Sequence, residues 1–353
     1  MPFQSHPDRV RHNDDHLAQG LVVTAMKIDL AFWDYDRTRG LTDGTVEIDG
    51  VDARFHSARI VTEIFEPMIR QHAFDVSELG LTYFLRTMDF DDPPFLAIPV
   101  FPNRCFRHSA IYVNKDSDIT RPQDLAGKTV GELAVYGHDA GVMPKGILSD
   151  EFGVTPEQCR WIVGPIDFPM APVDFIPQPH PADVEVTWTG DDLGKQLEAG
   201  QIDALISADV PECVLHKSPQ VGRLFDDYET VERDYYQRTG IFPIMHTVVV
   251  RKDLAAQRPD IVSAVYRGFC DAKDAAAEQL VKGMTFNNMA SMVPWLTKRI
   301  ENDRDLLGHD WWPYGVSANR AALDAVLRYH YEQGLTSRRF TCEDVFVDYL
   351  LDT

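Results

Sequence analysis

Short apolar runs of strand length alternate with stretches whose apolar residues recur every three to four positions. Residues 27–35 (KIDLAFWDY) read as a mostly buried strand, and 46–55 (VEIDGVDARF) alternate around a turn-prone Asp49-Gly50 pair. Residues 62–71 place Ile64, Phe65, Met68 and Ile69 on one helical stripe. A strand and a helix follow within 74–88, then strands at 95–101 (FLAIPVF) and 108–114 (HSAIYVN). These pieces make one α/β lobe.

Beyond Asp118 a second set begins. Residues 119–125 (ITRPQDL) form a short Pro-initiated helical turn, 128–132 a strand, and 137–152 a helix ended by Gly153. A strand at 159–164 leads into 165–181, a stretch with six prolines that reads as a loop. A strand at 184–188, a helix at 191–199 closed by Gly200 and a strand at 202–207 complete the set. Residues 243–251 (PIMHTVVVR) are a strong β run, followed by amphipathic helices at 259–282, 287–300, 317–333 and 341–351. Strand–helix alternation predicts mainly parallel sheets with helices on both faces. A chain of 353 residues exceeds what one ordinary core holds and fits two lobes of roughly 100–200 residues.

Composition narrows the function. Hydrophobic content of 44% and charged content of 25% are globular values. The formal net charge of −21 argues against nucleic acid and against anionic membrane surfaces, both of which need clustered Lys and Arg. An anionic ligand would meet a repulsive overall field, so its site must concentrate cations locally. The five cysteines (Cys105, Cys159, Cys213, Cys270, Cys342) are widely spread with no CxxC pair, which fits buried thiols in a reducing compartment. Residues 1–20 are polar and charged, without the apolar core of a secretory signal, and no run of about 18 apolar residues offers a membrane span. A cytoplasmic location is therefore expected. HxH, GxGxxG, Walker and GxSxG patterns are all missing, and the single HxxxH pair, His12 and His16, falls in the polar leader, so neither a metal nor an organic cofactor is expected.

The order of the elements resembles that of type II solute-binding proteins, in which an α/β lobe crosses to a second lobe and returns. The phrase PQDLAGKTVG (122–131) looks like the start of lobe two in that superfamily. Further phrases resemble the 4,5-dihydroxyphthalate decarboxylase family: DYDRTRGLTDG (34–44), FRHSAIYVN (106–114), YGHDAGVMPKGILSDEFGV (136–154), IFPIMHTVVVRKDL (241–254), WPYGVSANRAAL (312–323) and YEQGL (331–335). They run from about residue 27 to the C-terminus. The resemblance implies a two-lobe, type II periplasmic-binding-protein-like α/β fold with a ligand cleft between the lobes. It divides the chain into a polar leader (1–26), lobe one (27–115 plus 246–353) and lobe two (116–245). It also implies a cofactor-free lyase that removes one carboxyl group from a small anionic aromatic substrate in phthalate degradation, giving protocatechuate.

That chemistry needs cations for the retained carboxylate, a base at the phenol and an acid at the ring carbon. Arg37, Arg104 and Arg107 follow or precede strands, where open α/β sheets place ligands, and a guanidinium matches a carboxylate bidentately. Each is equally able to pair with a surface carboxylate of this acidic chain. The YGHDAG turn opens the first long helix of lobe two, so Tyr136, His138 and Asp139, with Lys145 two turns on, are expected at the cleft. His138 and Asp139 form an acid/base pair, or Asp139 merely caps the helix. His246, on the return strand, is a third catalytic residue or a core histidine, and His108 stands similarly at the outbound crossing. Trp33, Phe106, Trp312 and Tyr314 offer faces for an aromatic ring or for the core. The apolar C-terminal helices are long enough to serve a homo-oligomer interface. A non-catalytic receptor for an aromatic acid, and a decarboxylase of a related hydroxylated acid, remain open beside the main reading.

Overall fold

The computed structural model describes residues 25–286 and 291–353. The expected polar leader lies almost entirely outside these, as does the expected start of a helix at 287. The first lobe opens with β1 (Met26–Ala31), α1 (Asp36–Thr42), β2 (Val51–His56), α2 (Thr62–Gln71), β3 (Val76–Gly80), α3 (Leu81–Thr87) and β4 (Phe95–Ile98). The second comprises β5 (Ile111–Asn114), β6 (Thr129–Leu133), α4 (Asp139–Phe152), β7 (Arg160–Gly164), β8 (Glu185–Trp188), α5 (Leu193–Glu198), β9 (Ala204–Ile206), α6 (Glu212–Leu215), β10 (Val221–Arg223) and α7 (Tyr228–Thr239). The chain then returns through β11 (His246–Arg251) to α8 (Lys252–Gln257), α9 (Pro259–Thr285), α10 (Leu296–Leu307), α11 (Arg320–Glu332) and α12 (Cys342–Val345).

Two sheets result, ordered β2-β1-β3-β11-β4 and β10-β5-β9-β6-β7-β8. In each, one strand runs against all the others: β11 in the first and β5 in the second. These are the two strands that directly follow a crossing between lobes. Most other consecutive strands are joined by a helix that returns the chain to the same end of the sheet, and the Pro-rich loop after β7 does the same for β8, which makes the pairing parallel. Because β5 belongs to the second sheet, the outbound crossing falls between residues 99 and 110, ahead of the boundary at 115 that the sequence suggests. The return crossing precedes β11. The two crossings pair with each other through an antiparallel bridge between Arg104 and Ile244, with Cys105 N–H donating to the Pro243 carbonyl (3.2 Å).

Packing follows the apolar stripes. In α2, Ile64, Phe65, Met68 and Ile69 are all buried against the first sheet, each contributing about 1.5–3 kcal/mol of hydrophobic stabilisation. The second sheet is covered on one face by α4 and on the other by α5, where Leu193 and Leu197 join Ile202, Leu205 and Tyr112 in a separate small core. Three expectations change. Residues 341–351 form only the single turn α12 and a short 3-10 turn at Asp348–Leu350. Phe346 then bridges Ala97 and the Val347 N–H donates to the Ala97 carbonyl (3.0 Å), extending the edge beyond β4 instead of a helix. The helix expected at 287–300 starts at Leu296. Between 208 and 242, where no element was expected, α6, β10 and α7 appear. α7 (YETVERDYYQRT) buries only Glu232 and Tyr235, too few apolar positions to show a stripe.

Candidate active site

Where β3 ends and β11 begins, the strand register sets His246 opposite Gly80 and Val248 opposite Glu78. Glu78 and His246 therefore lie diagonally across one face of the sheet, close enough for their side chains to meet. His246 Nδ1 stands 2.6 Å from Glu78 Oε1, and both residues are buried. The same oxygen accepts the Tyr35 hydroxyl (2.7 Å), and Oε2 accepts the Trp33 backbone N–H (3.0 Å). Burial, and then the Glu78 carboxylate, push the Tyr35 hydroxyl far up, so it stays a donor. A carboxylate can only accept from the imidazole, so Nδ1 is the donor in this bond and Nε2 has no protein partner among the described residues. Phe65 closes the ring from the side, edge-on at 5.4 Å.

Lobe two presents the turn before α4. Gly137 takes φ +79°, a conformation glycine tolerates, and a Cβ there would overlap Leu335 and the Arg86 guanidinium. Arg86, fully buried on α3, donates to the carbonyls of Tyr136 (2.7 Å), Gly137 (3.1 Å) and Pro177 (2.9 Å), locking this turn onto lobe one. The helix cap is His138 rather than Asp139: its Nδ1 accepts the Ala140 N–H at 3.1 Å. That bond leaves Nε2 as the protonated nitrogen. Burial, followed by the Arg107 charge, holds its pKa down to about 3, so the ring is neutral and buried, not solvated.

Asp139, the first helical residue, reaches across to lobe one. Its Oδ1 accepts the backbone N–H (2.8 Å) and hydroxyl (2.9 Å) of Thr82, while the buried Oδ2 has no partner among the described residues. A Cβ on Gly80 would overlap that carboxyl, so the approach depends on glycine. Burial raises the Asp139 pKa, opposed most by His246 on the other side of Gly80. Arg107 completes the group. It is buried, gives its Nε to Met245 Sδ (3.0 Å), and its two terminal nitrogens have no protein partner among the described residues. Its charge acts on both His138 and Asp139.

The other expected residues lie elsewhere. Trp33 holds Glu78 through its backbone, with its ring exposed edge-on to Tyr35. Arg37 is stacked between Tyr35 and Trp312, donates to the Pro102 carbonyl (2.6 Å), and faces an open cavity of about 830 Å³ shared with Lys273, Arg304 and Trp312. Arg104 clamps the crossings by donating to the carbonyls of Phe242 (2.7 Å) and Pro313 (3.2 Å). Tyr136 and Lys145 do not reach the cleft: Lys145 pairs with Glu132 at 2.6 Å inside lobe two, beneath the Tyr136 and Trp161 rings. There the apolar second-lobe core outweighs the pull of the helix start. His108 is a core residue packed between Phe225 and Tyr235, with neither ring nitrogen partnered; burial lowers its pKa to about 4. Of the aromatic faces, Phe106 stacks on Phe242, and Tyr314 is buried.

Glu78, Tyr35 and Thr82 were not expected. One signal was available for Glu78: a carboxylate inside the apolar run VSELGL must find partners once buried. Among the described residues no group of three or more His, Cys, Asp or Glu side chains stands ready to hold a metal ion.

These features define a two-lobe protein with a periplasmic-binding-protein-like fold and with His246, His138, Asp139 and Arg107 gathered between its lobes. Two solved structures share the fold. The periplasmic aliphatic sulphonate binding protein SsuA from Escherichia coli matches with TM-score 0.53 and 11% identity, covering 93% of this chain and 99% of that one. A periplasmic sulfonate-binding protein SsuA from Methylobacillus flagellatus matches with TM-score 0.51 and 14% identity, covering 93% of each. No family model matches the chain. Among curated proteins, a 4,5-dihydroxyphthalate decarboxylase from Comamonas testosteroni is 34% identical over 328 residues, 92% of this chain and 97% of the relative. A second, from Pseudomonas putida, is 31% identical over 219 residues, 62% of this chain and 84% of the relative. The chain belongs to the 4,5-dihydroxyphthalate decarboxylase family.

Proposed function

We propose that this protein is a carboxy-lyase that converts 4,5-dihydroxyphthalate to protocatechuate by proton chemistry alone. The observation that carries the reading is the buried Glu78–His246 pair, set across Gly80 from the Asp139 carboxyl, whose pKa burial raises. Each carboxylate of that substrate lies para to a hydroxyl. Arg107 binds the retained carboxylate with its two free nitrogens, and His138 donates from Nε2 to a substrate oxygen. His246 Nε2 takes the proton of the hydroxyl para to the departing group, while Glu78 and Tyr35 hold the imidazole in place. The phenolate pushes its electron pair through the ring to the carboxyl-bearing carbon, which takes the Asp139 proton. The C–C bond to the carboxylate then breaks, its electrons restore the aromatic ring and the phenolate, and carbon dioxide leaves. His246 returns its proton to the phenolate, and Asp139 is reprotonated from solvent. One proton is consumed and one carbon dioxide formed per turnover.

The same fold serves receptors, and a purely binding role is the second reading. The deciding experiment is carbon dioxide release from 4,5-dihydroxyphthalate by purified protein, with and without chelator. Release that resists chelation supports the mechanism. Release abolished by chelator removes its metal-free form. Tight binding without release makes the protein a receptor, and release only from another hydroxylated benzoate changes the substrate while keeping the chemistry.

A further inference from the structure

The Glu132–Lys145 pair lies outside the proposed reaction, yet it is attached to the helix that carries His138 and Asp139. Both side chains are about 1% exposed, with Nζ 2.6 Å from Oε2. Glu132 Oε1 accepts the N–H of Gly137 at 3.0 Å, directly beneath the catalytic turn. Lys145 Nζ lies 3.8 Å from the Tyr136 ring centroid and 4.7 Å from that of Trp161. Gly141, the third residue of α4, presents its bare backbone to the Glu132 carboxyl, which a Cβ would overlap. An isolated surface pair of this kind would be worth little; buried, it is costly to desolvate and is no stronger than a good apolar substitute. Its placement is thus better explained by geometry than by stability.

We infer that Glu132 and Lys145 are positioning residues for the proposed reaction: the carboxylate, fixed from α4 by Lys145, holds Gly137 and so aims His138 and Asp139 at lobe one. Arg86 grips the same turn by its carbonyls from the opposite side, so the turn is held by its N–H from within lobe two and by its C=O groups from lobe one. The inference rests on the reading of His138 and Asp139 as the working residues of the cleft.

The test compares Glu132→Gln, Lys145→Met, the double variant, and Gly141→Ala, which displaces Glu132 without removing a charge. Each is followed by thermal unfolding, by turnover of 4,5-dihydroxyphthalate, and by nitrogen-15 NMR of the His138 ring. The double variant leaves neither member of the pair as an unpaired charge and should melt nearer the wild-type temperature than either single variant. If the pair positions the turn, its kcat nonetheless falls by about tenfold to a hundredfold with KM little changed, as for sub-ångström to ångström misplacement of catalytic groups. The His138 Nδ1 signal also moves away from that of a bonded acceptor, and Gly141→Ala moves both readouts in the same direction. A folded variant with wild-type kcat and an unshifted His138 signal overturns the inference. Because the ring signal is read without substrate, it moves or stays even if wild-type protein releases no carbon dioxide, which separates failure of this inference from failure of the proposed reaction.

Discussion

On the lobe-one face of the cleft, Glu78 accepts three hydrogen bonds spread over both of its oxygens, whereas on the lobe-two face Asp139 accepts two on one oxygen and none on the other. The histidines differ in the same way. His246 donates from Nδ1 to a carboxylate; His138 uses its Nδ1 lone pair on a backbone N–H and keeps its proton on Nε2. In the proposed reaction one face takes a proton and the other gives one. Pairs of titratable groups in environments this different are how a single site runs acid and base chemistry together.

The strongest way to break the comparison is to disable the accepting face. His246→Ala and Glu78→Gln should each lower kcat by roughly a hundredfold to ten-thousandfold, measured as carbon dioxide release. A Glu78→Gln protein with near-normal turnover would strip the pair of its role. A histidine belonging to neither face sharpens the contrast. His108 has a folded pKa of about 4, below its unfolded value of about 6.5, so above pH 6.5 both states are neutral and its stability contribution is complete. As pH falls toward 4 the unfolded chain takes up a proton that the folded one refuses, at a cost of about 3 kcal/mol. His108→Phe should therefore flatten the stability–pH curve between 6.5 and 4 in urea titrations, leaving kcat unchanged.

On the giving face, Asp139→Asn should reduce kcat by about a hundredfold with a smaller change in KM. Wild-type activity needs the protonated carboxyl, so it declines as pH rises through the elevated Asp139 pKa; residual activity of the variant should lack that alkaline limb. An unaltered limb would assign the acid to another group. Arg107→Lys keeps the charge but loses the fork, and KM should rise about tenfold with kcat less affected. Equal loss in both constants would mean that Arg107 acts in the transition state and not only in binding.

Much of the architecture could be read from the sequence because it rests on strong periodicity. The α2 stripe and the helix ending at Gly153 fall where their residues place them, and the β run ending at Arg251 contains β11. What escaped was structure held by tertiary contact alone: the charged α7, and the tail after α12, which looks helical until Ala97 offers it an edge. The site divides likewise. His138, Asp139, His246 and Arg107 were legible because strand ends and crossings are where a cleft must lie, and the structure brings these four together. Tyr136, Lys145 and His108 share those neighbourhoods but turn inward, a choice that side-chain packing makes and local sequence does not record. Glu78 was hidden by its own strand, since five buried residues in a row look like core.

The paired crossings carry one more implication. The Asn103 carbonyl accepts both the Met245 N–H (2.9 Å) and the His246 N–H (3.1 Å), so the proposed base is mounted on the spine about which the two halves would swing. In a book whose only legible line is printed along the fold, opening the covers displaces the line. Loading substrate and aiming the imidazole then become a single mechanical act, and solvent viscosity, which resists large rotations but not proton transfer, becomes a direct probe of how far turnover is set by that act.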